Sequence, residues 1–169
     1  MESCFYIQVD EPLFARKPKE AIEYGVENLE KCFDGISNPD IEKITHICCG
    51  YPDKLDAIDF PKAPLDSYHQ IAELLNNSII DSISLEDAHR YNDLSLLDKF
   101  TQSKIIFGFI KIASSEEETI SEIQKRVKDV LEHIDRERLI AAPDCGLGYL
   151  PRELAMKKLK TMVEAVKDI

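Results

Sequence analysis

Segments of β-forming residues alternate with one-sided helical stripes along the whole of this chain, and that alternation constrains its fold more than any single motif. Residues 4–9 are rich in β-formers and stop at Asp10-Glu11-Pro12, where proline withdraws a ladder donor. Ile22, Val26, Leu29 and Phe33 then recur at spacings of 4, 3 and 4, an apolar helical stripe closed by Gly35 and Pro39. Further strands are predicted over 43–49, 79–85, 104–112 and 139–142. Helices are predicted over 68–75 and 94–100, and a longer one carries Ile120, Ile123, Val127, Val130 and Ile134 behind a Ser115/Glu118 capping box. Leu154, Leu159, Met162, Val163 and Val166 mark the core face of a last helix. Five strands alternating with five helices imply the α/β class with a parallel sheet and right-handed crossovers. A closed (β/α)8 TIM-type barrel takes eight such units in about 250 residues, so about five units make a partial barrel unless something completes it.

Composition fits one domain over 1–169: 44% hydrophobic and 31% charged residues are ordinary for a globular chain. The net charge of −11 and the lack of a dense Lys/Arg cluster argue against nucleic acid or an anionic membrane as partner, leaving small molecules. No stretch approaches the roughly 18 apolar residues of a membrane span, and Met1-Glu2-Ser3-Cys4 lacks a basic region before an apolar one, so a cytoplasmic setting is expected. Five irregularly spaced cysteines then suggest buried thiols, metal ligands or catalysis rather than a disulfide framework. Cys4 and Cys32 fall on an apolar strand and a helix stripe and are expected in the core. Cys49 points away from Cys48 and is expected to pack.

In parallel α/β folds the chemistry gathers at the carboxyl ends of strands. Those ends here carry Asp10-Glu11, His46-Ile47-Cys48-Cys49, Glu86-Asp87 with His89 and Arg90 beyond, and Asp144-Cys145-Gly146. His46 and Cys48, two residues apart on a strand, share a face. With Glu86 and Cys145 they form an N, S and O set of the kind zinc takes. Lone cysteines also serve as small core hydrophobes, so spacing alone leaves both readings open. His89 and Arg90 fit either a substrate carboxylate or a solvated rim. Asp144 fits either an orienting partner of His46 or a turn before Gly146. His69 and His133 are expected to be structural or exposed. The long loop 50–64, with Pro52, Pro61 and Pro64, is of a length that often carries function.

Gln8-Val9-Asp10-Glu11-Pro12, His46-x-Cys48, Ser84-Leu85-Glu86 and Pro143-Asp144-Cys145-Gly146-Leu147, in that order, resemble the C-terminal half of the catalytic barrel of cobalamin-independent methionine synthases. The likeness covers nearly the whole chain, including Arg152-Glu153-Leu154-Ala155 and the helix after it. It implies that His46, Cys48, Glu86 and Cys145 bind zinc and that Asp10 holds the amino group of homocysteine. The implied reaction is methyl transfer from 5-methyltetrahydrofolate (polyglutamate) to the homocysteine thiol, giving methionine. The family's proton-donating histidine falls in register with Ala113 here, with Lys111 and Ser114 nearby, and the barrel units before Asp10 are absent. A related zinc-dependent alkyl transfer to another thiol, an incomplete barrel that associates with itself or with a missing half, and a zinc hydrolase stand as alternative expectations.

Overall fold

The computed structural model describes residues 5–57, 60–167 and 169. Its strands are β1 (Tyr6–Asp10), β2 (Glu42–Ile47), β3 (Ser82–Leu85), β4 (Lys104–Ile110) and β5 (Leu139–Pro143), paired in chain order, and each pairing is parallel. Sequential order has a direct consequence. Right-handed crossovers that always step the same way place every connecting helix on one face of the sheet, which is the winding of a barrel and not of a doubly wound sheet.

The helices are α1 (residues 18–31), α2 (Ser67–Asn76), α3 (Ile120–Val130) and α4 (Arg152–Val166), with a 3₁₀ helix, Leu94–Lys99, as the β3–β4 crossover. Alternate strand residues face these helices. Ile47, Ile83, Leu85, Ile105 and Phe107 are fully buried among Leu29, Ile71, Leu75 and Val130. Each such side chain contributes roughly 1.5–3 kcal/mol by leaving water. The opposite, concave face carries Gln8, Asp10, Ile44, His46, Ser82, Ser84, Ile106 and Ile140 in register across the sheet. Ile140 is 40% exposed there, as expected of a barrel interior with five of its strands in place.

Several details differ from the sequence expectation. Within α1 the Ala21–Gly25 segment is a π-turn, which inserts a residue into the helical phase. Ala21 and Gly25 are therefore buried, while Ile22 is 48% exposed. Cys32 is exposed at the end of α1, its Sγ 3.4 Å from Asn28 O, and is not a core residue. Cys4 lies outside the described residues. The capping box of α3 is formed by Thr119 and Glu122. Glu118 instead accepts the Lys111 N–H (2.9 Å) and the Lys158 ammonium (3.3 Å), and this pairing is what lets Lys158, rather than the exposed Val163, lie on the inner face of α4. Strand β3 starts later than expected because 79–81 turn into it from α2, leaving Ile79 exposed.

Candidate metal centre

The parallel register lines up the strand ends that carry polar residues. Asp10 of β1 pairs with His46 of β2, and His46 pairs with Ser84 of β3. Cys48 follows β2 on the same face as His46, and Glu86 follows β3 on the same face as Ser84. Cys145 reaches them from the loop after β5, because β4 and β5 shift register between Gly108 and Ile110 and so bend the end of β5 across β4. Asp144 N–H donates to Ile110 O (3.0 Å) and closes that bend.

The result is a cluster in which one donor atom from each of His46, Cys48, Glu86 and Cys145 lies within 4.8 Å of the others. His46 and Glu86 are buried, and the two thiols are half-buried. Ligand atoms on a tetrahedral zinc with bonds of about 2.0–2.3 Å stand about 3.3–3.8 Å apart, so small side-chain rotations bring this set onto one ion. His46 Nδ1 pairs with Ser84 Oγ at 2.9 Å, which fixes the ring and leaves Nε2, 3.2 Å from Cys145 Sγ, turned to the cluster. One imidazole, two thiolates and a carboxylate suit zinc in number, type and placement.

The two thiols are coupled. Cys48 donates toward Cys145, which draws Cys145 below the ordinary thiol range; the same bond, with burial, pushes Cys48 above it. Glu86 accepts the Cys49 N–H at 2.9 Å on one oxygen and the Lys62 ammonium on the other. Its backbone N–H donates to Tyr68 Oη (3.1 Å), whose own proton goes to Ile47 O (2.7 Å), tying the ends of β2 and β3 together through α2.

Asp144 is not the orienting partner of His46. Fully buried, it accepts the N–H groups of Asp87, Ala88 and His89 at 2.8 Å each, so that it clasps the loop after Glu86 to the loop that carries Cys145. Burial raises its carboxyl to about 7, against those three bonds. Arg90 is likewise structural: it donates to Ala63 O and Cys49 Sγ and lies over the Tyr68 ring, with burial pushing the Cys49 thiol up to about 11. His89 Nε2 accepts the Ala113 N–H at 3.1 Å, and burial lowers its pKa to about 4. Ala113 itself is buried. Asp10 is exposed at the rim, held by Gln8 Nε2 at 2.7 Å. His133 pairs with Asp98 at the surface (2.9 Å), and His69 offers its carbonyl to Lys99 (3.0 Å), both remote from the cluster in the fold.

Sequence reasoning assigned no site role to Ser84, Lys62 or Tyr68. Ser84 carried a usable signal, since it lies two residues before Glu86 and so on the same strand face. Lys62 and Tyr68 come from a loop and a helix whose placement only the folded chain reveals.

A singly wound parallel α/β sheet with an N/S/O cluster at the carboxyl ends of its strands defines this as a barrel-type protein with a candidate metal site. Residues 2–168 match the family described as "Cobalamin-independent synthase, Catalytic domain", and the chain belongs to that family. Methionine synthase of Thermococcus kodakarensis is 29% identical over 169 residues, 99% of this chain and 44% of the relative. That of Pyrococcus horikoshii is also 29% identical, over 97% of this chain and 43% of its own length. A solved B12-independent methionine synthase from a Shewanella species, in complex with selenomethionine, superimposes with a TM-score of 0.83 at 26% identity, covering 96% of this chain and 48% of that one. A methyltransferase from Methanosarcina mazei shares the fold, with a TM-score of 0.61 at 15% identity over 95% of this chain and 41% of that one. The chain spans about half the length of the relatives it matches. No helix among the described residues is long and apolar enough to cross a membrane.

Proposed function

We propose that this chain is the metal-binding part, the C-terminal half, of a methionine synthase barrel that moves the methyl group of 5-methyltetrahydrofolate (polyglutamate) to the thiol of homocysteine. The observation that carries the reading is the convergence of His46, Cys48, Glu86 and Cys145 in a member of this family. These four residues would hold zinc. Zinc held there lowers the pKa of a thiol brought to it, making the thiolate available at neutral pH. In the balanced reaction the S–CH₃ bond forms as the CH₃–N5 bond breaks, and the proton given up by the thiol ends on N5, giving methionine and tetrahydrofolate.

The chain's own residues set up that transfer. Ser84 fixes the His46 ring, the Asp144 clasp ties the loop after Glu86 to the loop that carries Cys145, and Asp10, exposed beside His46 on the neighbouring strand, would take the amino group of the amino-acid thiol. The selenomethionine named with the Shewanella relative is a selenium analogue of the product, in keeping with this substrate class. We read residues 1–169 as one domain-sized segment working in a cytoplasmic setting, with the rest of the barrel supplied by further sequence, a missing half or a second copy. Ala113, where the family carries its proton-donating histidine, favours as second reading a related zinc-dependent alkyl transfer to another thiol.

The test is methionine formation from homocysteine and methyltetrahydrofolate by the zinc-loaded protein, supplemented with the N-terminal half of a related barrel. Methionine that appears with the native chain and not with Cys48→Ser supports the reading. Loss of methionine with transfer to a different thiol supports the second reading. No transfer to any thiol by a zinc-loaded, reconstituted barrel contradicts both.

A further inference from the structure

We propose that Lys62 is a positioning residue that gives the Glu86 carboxylate a second resting place, so that Glu86 can leave a metal for the Lys62 ammonium when a thiol takes its position. The inference rests on the zinc reading above and concerns the one candidate ligand that, among the described residues, is ion-paired with a cation of the chain's own. Lys62 Nζ bonds Glu86 Oε2 while the Cys49 N–H bonds Oε1 at 2.9 Å, so both carboxylate oxygens have donors from the chain itself. The remaining candidate ligands have no such cation among the described residues and meet only neighbouring donors and acceptors, His46 Nε2 lying 3.2 Å from Cys145 Sγ and Cys48 interacting with Cys145, His46 and Glu86.

Burial makes the arrangement consequential. The side chains of Glu86 and Lys62 are 4% and 13% exposed, and a carboxylate taken out of water needs compensating charge or hydrogen bonds. A Glu86 displaced by an incoming thiol would otherwise be a buried, partly unpaired anion. Lys62 is held at the right place by construction. Gly50 adopts φ +138°, a backbone region that favours glycine, and the chain then returns so that the Ala63 N–H donates to Cys49 O at 2.7 Å. Arg90 donates to Ala63 O, Arg16 donates to Pro61 O (3.3 Å), and the Lys62 ammonium lies 4.9 Å from the centre of the Phe60 ring. The loop after β2 therefore delivers a fixed cation to the ligand carried by β3.

If Lys62 competes with metal for Glu86, removing its charge tightens metal binding and makes displacement of Glu86 harder. The experiment is zinc competition against a chromophoric chelator for native protein, Lys62→Met, Lys62→Gln and Lys62→Arg, each checked for folding by circular dichroism. The cobalt-loaded forms are then titrated with homocysteine and followed by visible absorption. The expected result is zinc affinity about tenfold tighter or more in Lys62→Met and Lys62→Gln, with Lys62→Arg close to native, and a homocysteine midpoint raised by a similar factor. Should Lys62→Met misfold, Lys62→Gln carries the comparison, because it keeps a hydrogen-bond donor without the charge. Unchanged or weaker zinc affinity in the folded neutral variants overturns the role of Lys62. Failure of folded native protein to bind zinc overturns the zinc reading itself, a separate outcome.

Discussion

His46 Nδ1 and Ser84 Oγ lie 2.9 Å apart across the β2–β3 pair, at positions directly in register. The hydroxyl thereby selects which ring nitrogen faces Cys48, Glu86 and Cys145. Partners of this kind typically account for about 10–100-fold in metal affinity. Ser84→Ala is expected to weaken zinc binding by that order, measured by chelator competition, with the urea midpoint nearly unchanged. Equal zinc affinity in the two proteins would show that packing alone sets the ring.

Asp144 and Gly108 form the joint between the third and fifth strand ends. A Cβ on Gly108 would stand 2.9 Å from Asp144 Cα and closer still to its carboxylate, so Gly108→Ala forces the clasp apart. Asp144→Ala leaves the N–H groups of Asp87, Ala88 and His89 without their acceptor. Overpacking of the first kind costs ~1–3 kcal/mol and each orphaned buried donor ~1–3 kcal/mol. Both variants should lower the urea midpoint at constant slope and lose zinc affinity as well, Asp144→Ala the more severely.

This joint marks where sequence reasoning runs out. The alternation of strands and helices was legible because periods of 2 and 3.6 residues are local properties, and the four candidate ligands were legible because a parallel fold brings strand ends together. The role of Asp144 was not, since it depends on a register shift between β4 and β5 that no local pattern announces. Nor was Lys62, whose position depends on the chain closing from Cys49 to Ala63. Ile22 and Cys32 were misplaced for a smaller reason. The α-helical period does not hold through α1, whose π-turn at Ala21–Gly25 moves Ile22 off the buried face and puts Ala21 there, and Cys32 lies past the helix's last regular turn.

His89 makes stability depend on pH. Burial lowers its pKa from 6.5 to about 4, with Lys62, Lys111 and Lys158 acting in the same direction and Glu86 against them. The unfolded chain therefore binds a proton below about pH 6.5 that the folded chain refuses until about pH 4, and the His89 contribution to stability falls as pH drops through that window. Asp144 acts with the opposite sign, its carboxyl being raised from 3.8 to about 7, so the comparison must isolate His89. Native protein is expected to lose more stability than His89→Gln between pH 6.5 and pH 4 in urea titrations. Parallel curves for the two proteins would show that the ring titrates as it does in the unfolded chain.

The cysteines should separate by reactivity. Cys32 is exposed, whereas Cys49 is buried behind Arg90 with its thiol pushed up to about 11. Iodoacetamide at neutral pH should label Cys32 in the native protein and Cys49 only after denaturation, as read by peptide mass spectrometry. Zinc should protect Cys48 and Cys145 and leave Cys32 unaffected. Rapid native labelling of Cys49 would contradict its placement.

The proposed function stands or falls on one ion binding to His46, Cys48, Glu86 and Cys145 together. Elemental mass spectrometry of purified native protein beside Cys145→Ser, both shown to be folded by circular dichroism, measures it directly. About one zinc per chain is expected in the native protein, lost in the variant. Folded native protein without zinc, or a Cys145→Ser protein that keeps a full equivalent, would contradict it.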